Sequence, residues 1–274
     1  MNKIGIRFAL ALAACVATTA QAVAEDSLQA LLDKGEVRIA NTQTSPPWSY
    51  LGDDNQPAGY DVEIAKEVAR RIGVKKVVFV ADSFKNFVEG LKADKYDLVM
   101  NDLTPTTERL KQVDFASPYG AEEFYLFVRD DNTDIKSIDD MEGRSVGVTA
   151  GTSNESWARK HMTQSEVRTY ENGGLVFNDL AIGRVDTVLS SFFGGDKHRK
   201  VNGLPIKPIG KPLTYQLSAP ALAKGKDSLR EAVSKAVDEM VADGTVDAYA
   251  KRWILPDYHM TQDIRAALAE AAED

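Results

Sequence analysis

One cysteine, Cys15, stands in the 274 residues. No disulfide can therefore form within the chain, and no thiolate metal centre can be assembled. Histidine is nearly as scarce, at three. His161 and His198 have charged neighbours in sequence and read as surface residues rather than as bases, and no ligand-spaced metal cluster is evident, so no cofactor or metal is expected. Beyond the N-terminal segment no apolar run reaches the ~20 residues of a membrane-spanning helix. Positive charge is also in deficit, with 33 Lys and Arg against 41 Asp and Glu for a net charge of −8. Residues 1–24 contain Lys3 and Arg7 and no acid, so without them the balance is 31 to 41, or −10. Nucleic acid and anionic membrane are poor partners for such a chain. A small anionic ligand held by one local arginine remains open.

What is present fits a soluble globular protein, with 43% hydrophobic and 27% charged residues and enough length for two domains. Lys3 and Arg7, the apolar stretch Phe8 to Val16 and the small-x-small sites Ala20-Gln-Ala22 and Ala22-Val-Ala24 read as a signal peptide over 1–24. Leu12-Ala-Ala-Cys15 resembles a lipoprotein-processing site, but the apolar core continues past Cys15 to an ordinary cleavage site. Simple export to the periplasm is the expectation. An exported chain without disulfides must take its stability from its core.

The informative stretch is Asp97-Leu-Val-Met-Asn-Asp-Leu-Thr-Pro-Thr-Thr-Glu-Arg109. Asp97 to Met100 reads as a short buried strand. A helix start follows, with Thr104 as N-cap, Pro105 at the first helical position and Glu108 in the first turn. A strand that runs into a helix N-terminus aims free N–H groups at one spot, and Arg109 about a turn in can grip a carboxylate with two parallel hydrogen bonds. The stretch alone equally allows a capped surface helix whose arginine pairs with a nearby acid.

Around it the order is β-α-β-α-β: a helix Leu28 to Lys34, strand Glu36 to Ala40, helix Asp61 to Ile72 with Asp61 as N-cap, strand Val77 to Val80 and helix Phe84 to Lys92. That order indicates a wound α/β domain with a largely parallel sheet. The loop Asn41 to Tyr50 holds two prolines, which forbid a ladder. Trp48 and Tyr50 in it either line a pocket or cover the sheet edge. A second unit runs from strand Phe124 to Val128 through strand Ser145 to Thr149 into a helix with capping-box spacing from Thr152 to Glu155. It lacks the glycines and lysine of a phosphate loop. Leu91-Lys-Ala-Asp-Lys-Tyr-Asp-Leu-Val-Met100 is echoed by Leu180-Ala-Ile-Gly-Arg-Val-Asp-Thr-Val-Leu189, so two similar lobes facing a cleft are expected. The proline-rich 204–218 looks like a return crossing, and Ile264 to Ala272 an Ala-rich tail helix of no evident function.

These segments resemble the periplasmic solute-binding proteins of polar amino acid ABC transporters (bacterial extracellular solute-binding protein family 3). The resemblance is carried by Gly59-Tyr-Asp-Val-Glu-Ile-Ala-Lys-Glu-Val-Ala69, Leu103-Thr-Pro-Thr-Thr-Glu-Arg109, Val113-Asp-Phe-Ala-Ser-Pro-Tyr119 and Gly147-Val-Thr-Ala-Gly-Thr-Ser153, in order and at the family's spacing. It implies a two-lobed α/β fold, each lobe a wound, mostly parallel sheet flanked by helices, with two crossing strands as hinge. Lobe 1 would take 25–118 and 219–260, lobe 2 would take 119–218 with crossings near 118–121 and 212–218, and 261–274 would be the tail. By the same resemblance Arg109 and Thr104 hold a ligand carboxylate and Thr152 and Ser153 add contacts from the other lobe. Phe84 forms an apolar wall with Trp48 near it, and Asn101 and Asp102 meet the ligand's polar groups. The implied partners are a small amino acid or derivative and an inner-membrane ABC permease, with the protein itself a monomer.

One departure matters. Where the family carries an acid that captures the ligand ammonium, this chain has Ser191. Without a replacement the loss would be roughly 1.5–3 kcal/mol, about ten- to a hundredfold in affinity. Asp102 is the candidate replacement, unless it only caps a nearby turn; otherwise the ligand lacks a free ammonium. A dehydratase-like enzyme of the same fold, with Asp102 or Glu123 as its acid, is the alternative class. A sensor lobe of a membrane kinase would need a transmembrane segment.

Overall fold

Two five-stranded sheets organise the computed structural model, which describes residues 26–271. The signal-peptide reading of 1–24 and the alternative at Cys15 lie outside the described residues. In the first sheet the strand order is Lys76–Ala81, Glu36–Asn41, Leu98–Val99, Ala221–Ala223, Val113–Phe115. The second runs Glu166–Tyr170, Ser145–Thr149, Thr187–Ser191, Gly120–Arg129, Ile206–Ser218. In both, the first three strands are parallel and the other two join antiparallel. Helices cover the faces, so the central strands Leu98–Val99 and Ser145–Thr149 are buried nearly throughout.

The echo noted in the sequence has one physical cause in both lobes. Asp97 accepts a hydrogen bond from the Arg38 backbone N–H at 2.7 Å, and Asp186 accepts one from the Ser145 backbone N–H at 2.8 Å. Each aspartate thus ties the start of its strand to the start of the lobe's first parallel strand. Asp97 is additionally paired with the Arg38 guanidinium at 2.7 Å, and Asp186 with the Ser145 hydroxyl at 2.7 Å.

Two helix starts differ from the sequence reading. The helix Tyr60–Arg71 has Gly59 at its N-cap, and Asp61 lies inside the first turn, fully buried. The N–H groups of Tyr60 and Asp61 are held by the carbonyls of Pro47 (3.0 Å) and Trp48 (2.9 Å). That approach places a Cβ at position 59 only 2.3 Å from the Trp48 oxygen, at φ +119°, so glycine is required there. The helix at Arg109 is a single turn, Thr107–Leu110, capped by Thr106 rather than Thr104. Thr106 Oγ1 accepts from the Arg109 N–H at 3.3 Å, leaving Thr104 and Pro105 in the loop. The proline loop also carries more structure than expected: Thr44–Ser45 and Ser49–Leu51 pair on either side of the prolines, and Pro57–Ala58 completes a small sheet.

The strands Gly120–Arg129 and Ile206–Ser218 run antiparallel, from Gly120 opposite Ser218 to Arg129 opposite Ile206, with a break in register between Ile209 and Thr214. Where they leave the first sheet, the Tyr119 N–H donates to the Ser218 carbonyl at 2.9 Å. The C-terminal helix Met260–Ala271 packs against this crossing with Met260, Ile264 and Ala267 buried in the lobe 1 core. Met260 Sδ receives the Ala121 N–H at 3.2 Å. The tail is therefore part of the wall beneath the crossing strands.

Candidate functional site

The carboxyl ends of the parallel strands of both sheets face each other, and a cavity of about 110 Å3 lies between them. That is several times the ~10–15 Å3 one water needs, so it admits a small organic molecule. Open α/β sheets bind ligands at this end because the loops there carry free backbone groups. Trp48, Phe84, Asn101, Asp102, Thr152 and Ser191, all singled out in the sequence, line the cavity. Trp48 is 3% exposed and packs edge-on against Tyr60 with ring centroids 5.5 Å apart, so it both lines the cavity and covers the core. Tyr50 packs instead against Trp253. The Asn101 side-chain oxygen accepts from the Thr42 N–H (2.7 Å) and Ser49 hydroxyl (2.6 Å), so it fixes the loop that carries Trp48.

Arg109, Thr104 and Ser153 lie just behind the lining, in the seam between the lobes. The Arg109 guanidinium donates to the Thr104 and Gly151 carbonyls at 2.7 Å each, one from either lobe, and stacks 5.5 Å above the Phe84 ring. It is 8% exposed, and burial lowers its pKa to about 10 against the opposing pull of Asp102, so it remains a cation at neutral pH. Gly151 can offer its carbonyl because it comes close to Lys85: a Cβ there would sit 2.6 Å from the Lys85 Cα, at φ +78°. Thr104 Oγ1 and Ser153 Oγ lie 3.3 Å apart, and both donate to Gln216 Oε1.

At the other end of the cavity three carboxyls gather beside the crossing strands. Asp102 holds a left-handed backbone, φ +48°, a conformation aspartate tolerates better than most residues. It accepts from the Ser218 hydroxyl. Burial pushes its pKa up to about 6, against the opposing effects of Ser218, Glu122 and Arg109. Glu122 and Asp61, both buried, are pushed well above the carboxylate range by desolvation and by the neighbouring Asp102. Asp102, Ser191 and Asp61 are polar groups that act on Glu122. Burial and the nearby Asp102 thus favour the protonated form of Glu122. Ser191 caps the helix Phe192–Val201, its hydroxyl accepting from the Gly194 N–H at 3.2 Å.

Several of these groups escaped the sequence reading. Glu122 sits at the same strand parity as Phe124, Leu126 and Val128, an inward position that alternation marks. Glu123, the residue considered instead, points away and accepts from the Tyr125 and Tyr215 hydroxyls at 3.0 and 2.8 Å. His198 is a correction: it is 8% exposed and lines the cavity, because its helix lies tight on the sheet. Gln216 and Asn154, also in the seam, carry no local signal that separates them from surface amides.

Glu171, another lining residue, latches the lobes: its carboxylate accepts from Ser83 Oγ at 2.5 Å and Lys85 Nζ at 2.7 Å. The pair is about half exposed, so it contributes at most ~1 kcal/mol. Glu171→Ala is expected to raise the ligand dissociation rate by up to about fivefold with little change in association, measurable by stopped-flow fluorescence of the cleft tryptophan. An unchanged dissociation rate would show that the latch contributes nothing to closure.

Among the described residues no group of His, Cys, Asp and Glu is placed to hold a metal, and no helix is long and apolar enough to cross a membrane. Residues 37–256 match the family model of bacterial extracellular solute-binding proteins, family 3. The L-cystine-binding protein TcyJ of Escherichia coli is 32% identical over 235 residues, covering 85% of this chain and 88% of that one. The histidine-binding periplasmic protein of Salmonella typhimurium is 28% identical over 270 residues, 92% of this chain and 97% of that one. Among solved structures, an ancestral arginine-binding protein bound to arginine superposes with a TM-score of 0.76 at 32% identity, over 80% of this chain and 98% of that one.

Proposed function

This chain belongs to the bacterial extracellular solute-binding proteins, family 3, and from that premise we propose that it captures an amino acid or close derivative by its carboxylate in the interlobe cleft and hands it to an ABC importer. It is a periplasmic amino-acid-binding protein of a transport system rather than an enzyme, and it works as a monomer with an inner-membrane permease as its partner.

One observation carries the carboxylate reading: Arg109, a buried cation, donates to two carbonyls, one from each lobe, and among the described residues forms no salt bridge. A buried guanidinium hydrogen-bonded only to carbonyls is an anion site in waiting. A ligand carboxylate drawn to it would also reach Thr104 from lobe 1 and Thr152 and Ser153 from lobe 2, the last two only when the lobes are closed. Ligand then favours closure by its differential affinity for that state. The ammonium falls to Asp102, since Ser191 cannot neutralise a cation.

The test is a thermal-shift screen of the refolded mature chain, which removes carried-over ligand. The panel is cystine, histidine and arginine, named by the relatives, with the other amino acids, N-substituted derivatives and amine-free carboxylates. A saturating ligand at 1,000 times its Kd contributes ~4 kcal/mol. Stabilisation by one or a few free amino acids is expected. Stabilisation confined to amine-free acids would remove the ammonium role from Asp102. A flat screen, with turnover of a small carboxylate, would favour the dehydratase alternative.

A further inference from the structure

The cavity continues past the Arg109 seam into lobe 2, where two elements meet with unused donors. The helix Gly173–Ala181 opens on it: Asn172 is the N-cap, its side chain accepting from the Leu175 N–H at 3.0 Å, and both Asn172 and Gly173 line the cavity. The first N–H groups of a helix have no acceptor within it, so those of Gly173 and Gly174 are available at that end. From the helix Phe192–Val201 comes His198, 8% exposed and packed on Phe177 with ring centroids 4.7 Å apart. Its Nδ1 lies 2.9 Å from Asn202 Nδ2. An amide nitrogen only donates, so Nδ1 is the acceptor and the ring proton sits on Nε2. Burial keeps the imidazole below its ordinary pKa and therefore neutral. Nε2 faces the helix start: a Cβ added at Gly173 would stand 3.6 Å from it, with room to spare for that atom.

A directed N–H on a side chain more than nine-tenths buried thus converges with a helix N-terminus on one spot, and Phe124 and Phe177 supply an apolar floor beside it. Glu171 is the acid nearest in sequence to this corner, and both of its oxygens are engaged by Ser83 and Lys85. We propose that His198 and the N-terminus of Gly173–Ala181 form a distal subsite that receives an acceptor oxygen, a carboxylate or carbonyl, at the far end of the ligand. The binding protein would then select amino acids with a polar acceptor terminus over apolar ones of similar length. This rests on the carboxylate-capture reading, since it presumes that Arg109 holds the ligand's near end.

The experiment is titration calorimetry of the refolded chain with L-2-aminoadipate, L-glutamine and L-norleucine. The wild type should bind the better of the two acceptor-bearing probes at least about tenfold more tightly than norleucine. His198→Phe should abolish most of that preference and leave norleucine within about threefold. His198→Gln, which keeps a donor near Nε2, should retain part of it and guards against a packing effect of the aromatic variant. Wild-type binding without preference, or equal losses for all three probes in both variants, would overturn the subsite. Arg109→Ala separates the two readings. If it weakens every probe while His198→Phe keeps the wild-type preference for acceptor-bearing probes, only the distal subsite falls; if it changes nothing, carboxylate capture falls too.

Discussion

Replacing Arg109 by alanine is expected to weaken ligand binding by about 10²- to 10⁴-fold while the protein stays folded. The magnitude follows from two charge-assisted hydrogen bonds to a carboxylate at ~1.5–3 kcal/mol each, or roughly 3–6 kcal/mol together. The side chain is 8% exposed, and its partners are carbonyls of Thr104 and Gly151 that water can satisfy once the lobes part. Its ring contact is Phe84, at the edge of a lobe 1 cluster, so truncation removes a cation from the seam and leaves the buried apolar residues of both lobes in place. Arg109→Lys should fall between, because an ammonium keeps the charge but loses the planar fork that grips both oxygens. Calorimetry gives the affinities, and circular dichroism with thermal melting reports the fold. An alanine variant that binds within threefold of wild type would end the assignment of Arg109 to the carboxylate.

The parts of this molecule legible in the sequence are those governed by local periodicity. The helix Tyr60–Arg71 announces itself because its pattern repeats within a few residues, and the aspartates before Leu98–Val99 and Thr187–Ser191 do so because one local pattern recurs in the second lobe. The misplacements arise where two residues compete for one role and only tertiary contact decides. Thr104 and Thr106 are both good caps, and Thr106 takes the position because its hydroxyl reaches the Arg109 N–H. Asp61 looks like a cap, but the close pass of the Trp48 carbonyl gives that place to Gly59. His198 looks like a surface residue until its helix is docked. Gly195, three residues earlier on the same face, lies so close to the sheet that a Cβ would stand 2.1 Å from the Phe127 ring. That contact draws the whole face inward. Glu122 was legible in principle from strand alternation, yet an acid in an apolar row is easily assigned to the outer face.

Asp102→Asn is expected to weaken ammonium-bearing ligands by about 10- to 100-fold at pH 7 and amine-free carboxylates far less, since the lost contact is one charge-assisted hydrogen bond of ~1.5–3 kcal/mol. The pH dependence sharpens the test. In the free protein Asp102 titrates near pH 6, raised by burial. An acid whose folded pKa is raised binds more protons folded than unfolded between its ordinary pKa of ~3.9 and about 6, so its contribution to apo stability declines as pH rises through that window. A ligand ammonium favours the ionised form and reverses the sign. Affinity should therefore be flat above about pH 6 and fall by up to tenfold per pH unit below it, with the ligand-induced Tm shift growing from pH 5 to pH 7. In Asp102→Asn the slope should vanish along with the preference for amines. Equal losses for both ligand classes would take the ammonium from Asp102. A slope that survives the substitution would place the linked proton on Glu122, the neighbouring acid whose pKa burial also raises, and Glu122→Gln would then remove it.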